Sequence, residues 1–113
     1  MAQLECQLQG DFNKILDALE KKIMGGSMSA TKEGSSDYVL NDIRCAVRVY
    51  ERYSMLGGNR VSLNITLVGN NESSFLSAIT AGGSQAVLFK INTLGEEAFL
   101  DCITKVVKQY SKY

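Results

Sequence analysis

The chain has 113 residues, with 12 Lys and Arg against 12 Asp and Glu, three cysteines, and no histidine, tryptophan or proline. That length fits one domain spanning residues 1–113, and it should bury roughly two thirds of its unfolded surface without metal or disulfide staples. Balanced charge offers no global field for nucleic acid or an anionic membrane, and the missing histidine removes Ser/His and Cys/His chemistry, so no cofactor and no metal site is expected.

Residues Met1 to Gly10 lack a basic n-region and an apolar h-region, which argues against a secretory signal. Leu4, Cys6 and Leu8 alternate with Glu5, Gln7 and Gln9 as a short strand. Asp11 then caps a helix whose stripe is Phe12, Ile15, Leu16, Leu19 and Ile23, ended by Gly25-Gly26. The next stretch reads as a strand around Ser27 to Lys32, a turn at Gly34-Ser35-Ser36-Asp37 and a short apolar piece, Tyr38-Val39-Leu40.

From Ile43 to Val68 the period is two. Ile43, Cys45, Val47, Val49, Tyr53 and Met55 share one parity, and Val61, Leu63, Ile65 and Leu67 share another across the glycine-rich tip Leu56-Gly57-Gly58-Asn59. An antiparallel hairpin with Val47, Val49, Leu63 and Ile65 on one buried side is therefore expected, with Arg44, Arg48 and Arg52 on a solvated outer face. Further strands are expected at Ser74 to Ala81, with Phe75 and Ile79 inward, and at Ala86 to Ile91, joined by a turn at Gly82-Gly83-Ser84-Gln85. Thr93-Leu94-Gly95-Glu96 matches a capping box, opening a helix from Gly95 to Tyr110 whose stripe is Phe99, Ile103, Val106 and Tyr110.

This order predicts an α+β domain in which an antiparallel sheet of five to six strands carries two helices on one face, a reduced helix-grip arrangement. The runs Tyr50-Glu51-Arg52-Tyr53-Ser54-Met55, Asn59-Arg60-Val61-Ser62-Leu63, Gly82-Gly83-Ser84-Gln85 with Leu88-Phe89, and Glu96-Glu97-Phe99 resemble an uncharacterised family of small bacterial proteins catalogued as a domain of unknown function. The resemblance implies a small cytoplasmic bacterial protein and brings no catalytic residues. Cytoplasmic placement agrees with Cys6, Cys45 and Cys102 read as reduced, buried thiols, and no apolar run reaches membrane-spanning length.

One polar residue stands out. Glu51 breaks the apolar parity of its strand, and a carboxylate there needs a margin, a bulge or a cation, with Arg60 or Arg52 in reach. Glu51, Tyr53, Arg60, Phe89 and Tyr110 are the candidate ligand-binding residues, and no residue is assigned a catalytic role. The expected function is a non-catalytic protein holding a small apolar ligand between the sheet and the C-terminal helix. The alternative is a self-associating structural or protein-interaction module, with a homodimer as its simplest form. A carboxylate-dependent enzyme built on Glu51, Tyr53 and Arg60 is the least favoured reading.

Overall fold

The computed structural model describes residues 2–25, 29–54, 59–82 and 98–111. Five strands form one sheet: β1 (Ala2–Gln9), β2 (Thr31–Leu40), β3 (Ile43–Ser54), β4 (Asn59–Gly69) and β5 (Ser73–Gly82). All four pairings are antiparallel and the spatial order is β1-β5-β4-β3-β2, so among the described residues the first strand lies beside the last. Helix α1 (Phe12–Gly25) leads from β1 at one margin to β2 at the other, and α2 (Thr104–Tyr110) closes the chain. The fold class is α+β with a five-stranded antiparallel sheet.

Local chemistry explains the first helix. Asp11 Oδ1 accepts the Lys14 amide at 3.0 Å, which satisfies one of the orphan donors at the helix start. Phe12, Ile15, Leu16, Leu19 and Ile23 are all buried, as their spacing requires. The stripe at the C-terminus is also seated, with Phe99, Ile103 and Val106 buried. The helix there is not continuous: 98–101 are helical, and Cys102 and Ile103 each donate to the carbonyl three residues back at 3.2 Å before α2 begins. Those short bonds tighten the backbone and interrupt the single helix expected from Gly95 to Tyr110.

The hairpin of β3 and β4 forms, but with a different inner face on β3. Tyr50 pairs with Leu63, Arg48 with Ile65 and Ala46 with Leu67, so the even-numbered positions of β3 share the buried side of β4. Ala46 and Tyr50 are buried, while Val47 and Val49 are only half-buried on the opposite side of the sheet. The same correction applies to β5, where Leu76, Ala78 and Thr80 point inward and Phe75 is 47% exposed. The inward arginines explain the reversal. Arg44 lies over the Phe12 ring and Arg52 over the Phe99 ring, 4.4 and 4.5 Å from the centroids, so their stems cover core while their cations meet aromatic faces. Arg48 is held by Asp37 at 3.0 Å. These three residues do not form the solvated outer face expected of them.

The expected turn at Gly34 to Asp37 is also absent, because β2 runs straight through it. Pairing with β3 overrides the weak strand propensity of Gly, Ser and Asp, and the ladder skips Glu33 in an irregularity between Lys32 and Gly34, which leaves Gly34 opposite Val49. The reversal comes instead at Asn41 and Asp42, with Asn41 at φ 58, a conformation Asn tolerates well. The hairpin tip at Leu56 to Gly58, the Ala86 to Ile91 strand, the capping box and Phe89 lie outside the described residues.

Candidate functional site

The inner face of the sheet is packed. Leu8, Phe12, Ile15, Leu19, Ile23, Tyr50, Leu63, Ile65, Leu67, Leu76, Phe99 and Ile103 are all fully buried in one cluster that joins both helices to the sheet. An ionic cluster meets the core at the β2 margin. The Tyr50 hydroxyl donates to Glu20 Oε1 at 2.9 Å, and Lys32 Nζ meets the same oxygen at 3.0 Å. Burial pushes the Tyr50 phenol well up, and the Glu20 carboxylate pushes it further. For Glu20, burial acts upward, but hydrogen bonds from Lys32 and Tyr50 with the charges of Lys32 and Arg48 hold it below the ordinary value. The ring of Tyr50 is thereby fixed, which is an architectural role.

The sheet face on which no helix lies among the described residues, the helix-free face, carries the predicted polar spot. Glu51 and Tyr53 on β3 stand opposite Ser62 and Arg60 on β4, so all of these share one side of the sheet. Arg60 Nε donates to Glu51 Oε1 at 2.8 Å, and its Nη2 reaches Thr31 Oγ1 at 3.5 Å. Both partners of the ion pair keep substantial exposure, 51% for the Arg60 side chain and 36% for Glu51. Half-exposed pairs of this kind contribute little to stability, about 0–1 kcal/mol. Beside the pair lies a shallow cleft of about 230 Å³ lined by Glu51, Arg60, Ser62, Ala81 and Gly82.

The candidate residues do not converge on one place. Glu51, Tyr53 and Arg60 come together on the helix-free face, whereas Tyr110 belongs to the helix layer on the other side, where its ring lies against Gly10. The sheet separates them. Phe89 lies outside the described residues.

Two further clefts lie among the described residues. One of about 350 Å³ at the β4–β5 end is edged by Ile43, Val68 and Phe75, with Ile43 39% and Phe75 47% exposed. The other, about 390 Å³, runs between α1 and the last helical turns and is lined by Lys21, Lys22, Asp101, Cys102 and Lys105. The Cys102 thiol accepts from Arg52 Nη1 at 3.4 Å, and Cys6, Cys45 and Cys102 are all unpaired and half-buried. Burial pushes the Cys6 thiol up, away from thiolate chemistry. Among the described residues no group of three or more Cys, Asp or Glu is placed to hold a metal ion. Among the described residues no helix is long and apolar enough to cross a membrane.

The apolar patch on the helix-free face is hidden in the sequence because aliphatic counting puts the odd positions of β3 in the core. The signal that identifies it is the Asn41-Asp42 turn. Tyr38, Leu40 and Ile43 flank that turn, and with the half-buried Cys45 and Val47 they make the open side of β2 and β3 largely apolar.

The family model described as Family of unknown function (DUF6054) matches residues 1–111. No curated protein and no solved structure matches the chain.

Proposed function

Since the chain belongs to this family of unknown function, geometry has to carry the reading, and we propose that the protein is a non-catalytic interaction module whose working surface is the helix-free face of the sheet. The observation that carries it is the distribution of exposure. Tyr38 at 64%, Leu40 at 61%, Phe75 at 47% and Ile43 at 39% stand on or beside one sheet face that, among the described residues, no helix covers. Exposed apolar groups gathered on one face mark an interaction surface more often than singly scattered ones do. The cleft between Ile43, Val68 and Phe75 gives such a surface a recess for an apolar anchor, the usual centre of a binding hot spot.

The Glu51–Arg60 pair fits this reading as a polar rim. Rim charges set orientation and association rate more than affinity, which suits a pair open to solvent. The small apolar ligand expected between the sheet and the C-terminal helix finds less support, since the described side chains there, Leu8, Phe99 and Ile103 among them, are fully buried. Small size and unpaired thiols favour a cytoplasmic setting.

A photo-crosslinking amino acid at Phe75, in cells that express the protein, tests the module. Discrete protein adducts are expected there and not at Lys14 on the exposed side of α1. Absence of any protein adduct at Phe75, Val68 and Tyr38 alike refutes the reading.

A further inference from the structure

We propose that β2 is a self-association edge, and that two copies of the chain join antiparallel along Ser36–Leu40 about a two-fold axis at Tyr38, fusing their sheets into one of ten strands. The proposal rests on the interaction-module reading and names its partner. Only β3 pairs with β2, so among the described residues its outer edge carries no strand. Nine of its ten residues are exposed.

Natural edge strands are normally protected by lysines, prolines, bulges or a covering element. Here the protection is confined to one end. Lys32, Glu33 and the irregularity at Lys32/Gly34 guard the start of β2, but from Ser35 to Leu40 the only charge is Asp37, already neutralised by Arg48 at 3.0 Å. Beyond it, Tyr38, Val39 and Leu40 are 64%, 59% and 61% exposed. The opposite margin is treated differently, since Leu8 of β1 forms a bridge with Ser111 after α2. Zero net charge adds no long-range repulsion between copies.

The register follows from the hairpin. The two-residue turn at Asn41-Asp42 makes Leu40 and Ile43 a mutually bonded pair, so alternation directs the backbone groups of Ser35, Asp37 and Val39 to the free edge. An antiparallel copy must therefore match these odd-numbered positions with one another. A centre at Asp37 would set two carboxylates face to face. A centre at Tyr38 pairs Asp37 with Val39 of the partner subunit and Ser36 with Leu40 of the partner subunit, and it stacks the two Tyr38 rings as a cross-strand aromatic pair. Both protomers then keep their helices on the same side, and their helix-free faces become continuous. An edge contact of this length falls at the small end of specific interfaces, so a dissociation constant of micromolar order is expected.

Sedimentation from about 1 to 200 µM should show a monomer–dimer equilibrium. Tyr38→Lys, which sets two ammonium groups opposite each other, should weaken it at least about tenfold. Val39→Pro removes an N–H that faces the free edge and not β3, so it should abolish dimerisation while circular dichroism keeps the wild-type signature. For the register, Tyr38→Cys is made in a Cys45→Ser background, because Cys45 is the neighbour of Tyr38 on β3. Mild oxidation should then give a covalent dimer, and Ser36→Cys in the same background should not. A monomer throughout the range, or a dimer indifferent to both edge variants, overturns the proposal. Efficient crosslinking through Ser36→Cys with none through Tyr38→Cys overturns the register and with it the two-fold at Tyr38. Foreign adducts at Phe75 alongside a strict monomer would sink this inference and leave the interaction module standing.

Discussion

Tyr50→Phe isolates a hydrogen bond that ties the core to its ionic margin. The ring is fully buried, so the substitution leaves packing intact and removes only the hydroxyl that donates to Glu20 at 2.9 Å. A hydrogen bond to a charged group contributes about 1.5–3 kcal/mol, but Glu20 keeps 35% side-chain exposure and water can partly replace the phenol. The expected loss at pH 7 is therefore at the low end, about 1–1.5 kcal/mol, or a fall of roughly 0.5–1 M in the urea midpoint. The pH dependence gives the sharper test. Glu20 is held below its ordinary value in the folded state, so its contribution is present above about pH 4.3 and fades as pH falls through the depressed folded value. Tyr50 is raised, first by burial and then by Glu20, so its contribution is complete below about pH 10 and is lost as pH climbs beyond it. Phe cannot suffer the alkaline loss. The gap between wild type and variant should be largest near neutrality, shrink below about pH 4 and close or reverse above about pH 10. Urea titrations followed by circular dichroism at pH 3, 7 and 11 would refute the reasoning if the gap were constant.

Leu63→Ala should cost about 2–5 kcal/mol in the same titration, while Val47→Thr on the open face stays within about 0.5 kcal/mol; the opposite ranking would restore the reversed parity. Gly69→Ala should destabilise by at least about 1–3 kcal/mol, since at φ +157 its new Cβ would sit 2.3 Å from the Ser73 carbonyl oxygen; an unchanged melting temperature would show that the bend relaxes freely. Ser74→Ala should leave stability unchanged or raise it by up to about 1 kcal/mol, because the Ser74 hydroxyl is buried with no partner among the described residues; a clear loss would reveal a hidden acceptor. For Glu51→Gln and Arg60→Met, a double-mutant cycle should return a coupling energy of about 0.2–1 kcal/mol that shrinks at 1 M salt, and no salt dependence would mean that the pair is not ionic in solution.

Helix α1 was legible because three signals agree there: a side-chain cap at Asp11, one apolar stripe and glycine at the end. On β3 the signals conflict. The odd positions hold Cys45, Val47 and Val49, which look like the core, and the even positions hold three arginines. Counting aliphatic residues chooses the odd face. The fold chooses the even one, because Tyr50 offers the largest ring, Ala46 leaves room for a helix, and Phe12 and Phe99 receive two of the guanidinium groups. Parity counting treats arginine as polar throughout its length, whereas here its stem is apolar surface and its head meets an aromatic face. The aromatics concerned lie 32 and 47 residues away in the chain (44 − 12 and 99 − 52), so no local window contains the deciding contact.

The same conflict governs how much of the site could be read. The Glu51–Arg60 contact was legible because it depends only on the hairpin: in any antiparallel register close to the observed one, a residue shortly before the tip approaches one shortly after it, and a carboxylate off the apolar pattern selects the arginine. The apolar patch on the open face was not legible, because its recognition depends on which β3 parity is inward. Once the arginines are given to the helix side, Cys45, Val47 and Val49 must stand with Glu51 on the open side, and Tyr38, Leu40 and Phe75 join them through the strand register. The polar pair then ceases to be an exception within a core. It becomes a solvent-open ion pair on a mixed sheet face, where the apolar row Tyr38, Cys45, Val68 and Phe75 crosses the polar positions of β1 and β4, and an open pair of this kind fits the polar rim of the proposed interaction surface.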